Sequence, residues 1–139
     1  MTGKLMEYFN RQPRLGVIST SSRDGRVDSA VYGSPQMIDE KTVMVAFARG
    51  RTWANLQENP HAVYMIMEPG EGLQDWKGVR VYLRMKEHFQ SGPRLEAYKR
   101  EAAKIVGEEA VRMIAVLAAF EVEEVRPLID FGQGWVRGI

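Results

Sequence analysis

The sequence contains no cysteine. Disulfides, thiolate metal sites and cysteine nucleophiles are therefore excluded, and the expected compartment is the cytoplasm. Net charge is also scarce, +1 over 139 residues, so no general attraction to nucleic acid or to an anionic membrane is expected. No apolar run reaches the length needed to cross a bilayer. The opening residues Met1-Thr2-Gly3-Lys4-Leu5-Met6-Glu7-Tyr8-Phe9 lack an apolar stretch followed by a small-residue cleavage site, and no signal peptide is expected. Gly-x-Gly-x-x-Gly and Walker-type loops are missing, which removes the ordinary nucleotide motifs. The two histidines, His61 and His88, are isolated in sequence, and no metal site is expected from them. The hydroxyl run Ser19-Thr20-Ser21-Ser22 has no His-Asp pattern near it, so a hydrolase triad is not supported. No acid–base or nucleophilic side chain is singled out.

What is present is ordinary globular material. The apolar share is 45% and the charged share 27%, and residues 1–139 read as one domain. A short helix over 5–10 puts Leu5, Met6 and Phe9 on one face and stops at Gln12-Pro13. Strands are expected over 15–20 and 27–34, joined through Asp24-Gly25, the strongest short hairpin signal. Met37-Ile38 leads into a polar turn, Asp39-Glu40-Lys41, and a third strand follows over 42–48. A helix over 52–58 ends at Asn59-Pro60. Strands over 62–67 and 79–85, the latter running on towards Phe89, flank a long loop. A further helix over 95–106 is capped by Ser91 or Gly92, begins with Pro93 and stops at Gly107. Its apolar face is Leu95, Tyr98, Ala102 and Ile105. One more helical turn over 108–113 precedes a segment over 114–126 whose alanines suit a helix but whose alternation around Phe120 and Val122 reads as a strand. The fold class is mainly β: a six- to seven-stranded antiparallel barrel with two or three helices.

One stretch invites a functional reading. Met44-Val45-Ala46-Phe47-Ala48-Arg49-Gly50-Arg51-Thr52-Trp53 passes from an apolar strand through a basic glycine turn into a helix, with Thr52 as the expected cap. Free N–H groups and the positive end of the dipole gather at such a point, and Arg49 and Arg51 add charge-assisted donors, so a phosphate fits there. The plain alternative is an exposed basic turn with an ordinary threonine cap.

Together these segments resemble the FMN-binding split β-barrel proteins related to pyridoxamine 5′-phosphate oxidase. The resemblance spans roughly residues 15–125. It rests on the hairpin around Asp24-Gly25-Arg26, on Val45 to Thr52 followed by Asn55-Leu56 and Asn59-Pro60-His61-Ala62, and on Val79-Arg80-Val81-Tyr82-Leu83-Arg84-Met85 followed by a helix and a late strand. It implies that Ser29, Ala30, Val31 and Tyr32 lie beside the flavin ring. It implies backbone contacts from Ala46, Phe47 and Ala48 to the ring and ribityl chain, and a phosphate grip by Arg49, Arg51 and Thr52. It further implies a homodimer with two FMN molecules at the interface, with Trp135 near the flavin of the other subunit. Without the family, Ser29 reads as an exposed strand serine, Tyr32 as a core tyrosine and Trp135 as a hydrophobic anchor for the tail. The chain lacks the oxidase's Arg-Leu-x-Pro-like end, and Arg49, Arg51 and Thr52 replace its usual Ser/Lys pairing. Both departures point away from pyridoxamine phosphate as substrate.

The leading expectation is an FMN-binding redox protein, an oxidoreductase whose substrate the sequence does not give. A flavin carrier or sensor without its own substrate is the first alternative. The same barrel holding a deazaflavin or a haem, with His61 or His88 as axial ligand, is the next. A dimeric barrel without cofactor is the last.

Overall fold

The computed structural model describes residues 2–139. Helix α1 (Thr2–Asn10) is followed by strands β1 (Gly16–Ser21), β2 (Val27–Val31), β3 (Gln36–Asp39) and β4 (Thr42–Phe47), then helix α2 (Arg51–Glu58). Strands β5 (His61–Glu68) and β6 (Lys77–Phe89) come next, then α3 (Pro93–Val106), α4 (Glu108–Arg112) and β7 (Val116–Pro127). Short 3₁₀ turns occupy Leu73–Asp75 and Trp135–Gly138.

Local chemistry accounts for most of these elements. Gly25 takes φ +87°, a left-handed value that glycine adopts without strain, and its N–H donates to the Ser22 carbonyl at 3.1 Å. That turn sets the β1–β2 register, with Ser19 opposite Ser29. Pro93 opens α3 and Gly107 closes it at φ +89°. The segment ambiguous between helix and strand is strand β7. Val116, Leu117, Ala118, Ala119 and Phe120 are all buried, so a strand covered on both faces carries the continuous apolar run that mimicked a helix.

The strands form one antiparallel sheet in the order β2-β1-β5-β6-β7-β4-β3. Although β2 and β4 stand at positions one and six of that order, the ring of Tyr32, just after β2, lies 5.4 Å from that of Phe47 in β4. The sheet therefore curls round a shared core, as the split-barrel reading requires. Ile18, Val43, Val45, Phe47, Tyr64, Ile66, Val79, Val81, Leu83 and Phe120 face inward with almost no exposure. Leu5, Tyr8 and Phe9 of α1 and Trp53 and Leu56 of α2 complete that core.

Several expectations are corrected. Residues 36–39 form β3, a four-residue strand that pairs with β4 through a shifted register. It is too short and too irregular to show alternation. Strand β2 stops at Val31 because residues 32–35 turn towards β3. Thr52 does not cap α2: Gly50 holds the cap position, with no side-chain cap bond, and Thr52 sits inside the first turn, buried. Ile105, expected on the covered face of α3, is 86% exposed; α3 is anchored through Leu95 at its other end. The further helical turn expected after Gly107 is α4, which brings the α-helices among the described residues to four.

Candidate functional site

The end of β4, the turn after it and the start of α2 form the site. Phe47 is fully buried between Tyr32, Trp53 (5.9 Å) and Phe120 (6.1 Å). This aromatic packing fixes where the chain leaves the sheet. Ala48, Arg49 and Gly50 then carry it to α2. With glycine at the cap and no side-chain cap bond, the N–H groups of the first helical turn have no acceptor from a capping side chain. Arg49 is exposed and has no carboxylate partner among the described residues, and Arg51 touches only Asp28, at 3.8 Å. Unspent backbone donors beside two guanidinium groups are the donor set a phosphate requires, and the fit to a phosphate-bearing cofactor holds.

Strand β2 faces this turn with alternate residues. Asp28 and Ala30 are half-buried on one side, as is Tyr32 just beyond the strand, whereas Val27, Ser29 and Val31 are exposed on the other. Burial raises the Tyr32 phenol above its ordinary value, and the nearby Thr52 side chain opposes that rise. Tyr32 thus stands between the ring of Phe47, 5.4 Å away, and the start of α2 near Thr52. Of the residues expected at the site, Ala30, Tyr32, Phe47, Ala48, Arg49, Arg51 and Thr52 belong to this one region. Ser29 and Val31 lie on the opposite face of β2, where Ser29 Oγ is 2.8 Å from Ser19 Oγ. Ala46 is in place, but its backbone is engaged: Ser34 Oγ donates to the Ala46 carbonyl at 2.9 Å and accepts from its N–H at 3.2 Å. Trp135 is half-buried against the core. Phe47 pairs with Val116 at the start of β7, whereas Trp135 follows the end of that strand at Pro127.

Four residues that support the site carried no signal in the sequence. Arg14 donates to the carbonyls of Phe9, Gly33 and Pro35 and lies over the rings of Phe9 and Tyr64 at 5.2 Å, pinning the turn that follows Tyr32. Tyr64 donates from its hydroxyl to the Tyr32 carbonyl at 2.6 Å. Ser34 and Asp28 are the others. The sequence reads Ser34 as the last residue of the strand over 27–34, not as a clamp on Ala46.

The histidines do not converge. His61 Nδ1 lies 3.3 Å from Glu123, and His88 packs edge-on against Trp53 at 5.0 Å. Among the described residues no three His, Asp or Glu side chains are placed to hold a metal ion, and no helix is long and apolar enough to cross a membrane.

The family model for pyridoxamine 5′-phosphate oxidase matches residues 2–128. The chain belongs to the pyridoxamine 5′-phosphate oxidase family. Solved structures agree on the fold. An FMN-binding protein from Syntrophomonas wolfei superposes with a TM-score of 0.76 at 22% identity, over 92% of this chain and 86% of the other. An FAD-binding protein from Mesorhizobium loti gives 0.64 at 16%, over 90% and 92%. HutZ, the haem storage protein of Vibrio cholerae, gives 0.65 at 14%, over 96% and 100%. No curated protein matches the chain. The fold is thus shared by an FMN-binding, an FAD-binding and a haem storage protein.

Proposed function

We propose that this chain binds FMN, holding the phosphate at residues 49–52 and the ring against Tyr32 and Ala30, and acts as a homodimeric flavin redox protein. The observation that carries the reading is the uncapped start of α2 set between Arg49 and Arg51, directly above the Tyr32–Phe47 contact. Hydride or single-electron transfer is the chemistry a flavin supplies when bound. The chain's own part is to fix the phosphate, to shield the aromatic wall from water and to hold Tyr32 in place through Tyr64 and Arg14.

Pairing of two copies is supported by the outer face of the sheet. Val27 is 77% and Val31 71% exposed, and half-buried Val17, Val63 and Met65 continue the apolar surface across β1 and β5. An apolar face of this kind is ordinarily covered. The family resemblance puts the carboxyl-terminal segment, with Trp135, near the flavin of the partner subunit.

The test is the absorbance spectrum of the purified protein before and after adding FMN, with riboflavin for comparison. Retained flavin bands, with riboflavin binding much more weakly and Arg49→Ala/Arg51→Ala abolishing the difference, support the reading. A Soret band or a deazaflavin band in place of FMN keeps the fold and replaces the cofactor. A monomer in solution at micromolar concentration overturns the dimer.

A further inference from the structure

A cavity of about 590 Å³ lies between the loop that joins β5 to β6 and the segment that follows β7. None of its lining residues belongs to β2, to the phosphate turn or to α2. Its apolar lining includes Leu73, Trp76, Leu128, Ile129 and Phe131. Leu73 is 65% and Phe131 88% exposed, so two large apolar side chains stand open to water beside one cavity.

Both walls have fixed shapes. In the β5–β6 loop the Asp75 N–H donates to the Gly72 carbonyl at 2.9 Å, and the Trp76 N–H to the Leu73 carbonyl at 3.2 Å. A side chain at Gly70 would come within 2.7 Å of Asp75, so the loop is folded closely on itself. On the other wall Arg80 Nε donates to the Pro127 carbonyl at 3.0 Å, and Gln133 donates to the Ile129 carbonyl at 2.6 Å while accepting the Phe131 N–H at 2.7 Å. Lys4 Nζ ties the end of this wall to α1 through the Val136 carbonyl at 3.2 Å.

The charges of this region divide into two sets. Arg80 and Arg126 are spent on Asp130. Lys77 and Arg137 line the cavity, and among the described residues neither has an ion pair or donates a side-chain hydrogen bond. Asp75 is the single carboxylate of the lining, and the Gln74 amide is uncommitted. A cavity of this size, apolar in its walls and carrying two free cations against one carboxylate, suits a ligand with a hydrocarbon body and one negative end.

We infer that this cavity is a second ligand site, which takes a small apolar monocarboxylate. The hydrocarbon body lies against Trp76, Leu128 and Ile129 and covers Leu73 and Phe131; the carboxylate meets Arg137 and Lys77. The site neither requires a flavin nor displaces one.

The experiment is a calorimetric titration of the full chain with probes of similar shape and different charge: 2-naphthylacetate, 2-naphthaleneethanol and 2-naphthaleneethylamine, each with and without added FMN. The acid is expected to bind about tenfold tighter than the alcohol, and the amine more weakly than either. Lys77→Ala/Arg137→Ala should bring the acid down to the level of the alcohol, and Arg137→Lys should keep part of the preference. Phe131→Ser should weaken the acid and the alcohol alike. Thermal melting checks that each variant remains folded, and added FMN should change none of these affinities. Equal binding of the probes overturns the inference, as does a preference for the acid that survives Lys77→Ala/Arg137→Ala. Competition between the acid and FMN, or no binding of any probe at millimolar concentration, overturns it too. Failure of FMN itself to bind overturns the phosphate site proposed above, and binding of the acid to that same protein still supports this one.

Discussion

The guanidinium of Arg51 lies 3.8 Å from the carboxylate of Asp28, across the gap between α2 and β2. Asp28 is the more buried partner, and it is the carboxylate paired with the residue that the phosphate would engage. Its charge both occupies Arg51 and repels an incoming phosphate. Asp28→Asn keeps the shape and removes the charge. FMN affinity is expected to rise by about two- to fivefold, because an exposed ion pair of this kind carries no more than about 1 kcal/mol. Riboflavin affinity should not move. Parallel titration of both ligands at low and moderate salt checks this, and an equal change for riboflavin would show that Asp28 acts through the ring site instead.

Ser34 makes a second prediction. Its hydroxyl both donates to and accepts from the backbone of Ala46, taking over where β3 no longer pairs with β4. Ser34→Ala leaves a part-buried N–H and C=O without that partner. The expected loss is about 1–2 kcal/mol in urea unfolding. If an incoming ribityl chain satisfies those same groups, saturating FMN should restore more stability to Ser34→Ala than to the wild type.

How far the sequence reached is clearest at these two residues. The hairpin at Asp24-Gly25, the strand into Phe47 and the stop at Asn59-Pro60 were legible because each is decided within a few residues by backbone preference. The basic turn between β4 and α2 was legible for the same reason. Asp28 and Ser34 were not, since their roles depend on the sheet curling until the end of β2 meets β4, a contact between positions far apart in the strand order. Thr52 shows the limit at close range. A threonine before a helix is a good cap, but α2 begins one residue earlier, which turns Thr52 inward. Alternation along β2 also split the four residues expected beside the ring, placing Ser29 and Val31 on the outer face.

Asp130 ties the carboxyl-terminal segment to the sheet and gives it a pH dependence. Its Oδ2 accepts from Arg126 Nε at 2.6 Å and from Arg80 at 2.8 Å, and its Oδ1 accepts the Gly132 N–H at 2.9 Å. Arg126 foremost, and then Gly132, hold this carboxyl below the usual carboxylate range. A depressed value in the folded chain means that the unfolded chain binds the proton first, so stability falls as the pH falls. The contribution is complete above about pH 4, the usual range for aspartate, and is lost as the pH drops through the lower folded value. Amide exchange of residues 128–139 should accelerate in that acidic window in the wild type. In Asp130→Asn it should already be fast at neutral pH, while exchange in β5 and β6 stays slow.

Gly16 links the packing of the core to the site. A methyl group at this position would come within 1.8 Å of the Tyr64 hydroxyl oxygen and 2.3 Å of the ring carbon that bears it. Tyr64 is wholly buried, against Phe9 at 5.4 Å, and has no space into which it can retreat. It is also the residue whose hydroxyl holds the Tyr32 carbonyl at 2.6 Å. Gly16→Ala must therefore move Tyr64, and with it the segment that carries Tyr32. Overpacking of this kind costs about 1–3 kcal/mol. Tyr64→Phe removes only the hydroxyl and its hydrogen bond, at about 1 kcal/mol. Adding Tyr64→Phe to Gly16→Ala should recover little, because the ring carbon still collides. A larger space, as in Gly16→Ala/Tyr64→Ala, should remove the collision while losing the aromatic packing. Unfolding free energies for the two single variants and the two double variants separate these terms. FMN affinity measured on the same proteins should fall with Gly16→Ala and with Tyr64→Phe alike, since each frees the Tyr32 carbonyl. A Gly16→Ala protein that is destabilised but binds FMN as the wild type does would show that the Tyr64–Tyr32 bond supports the core alone.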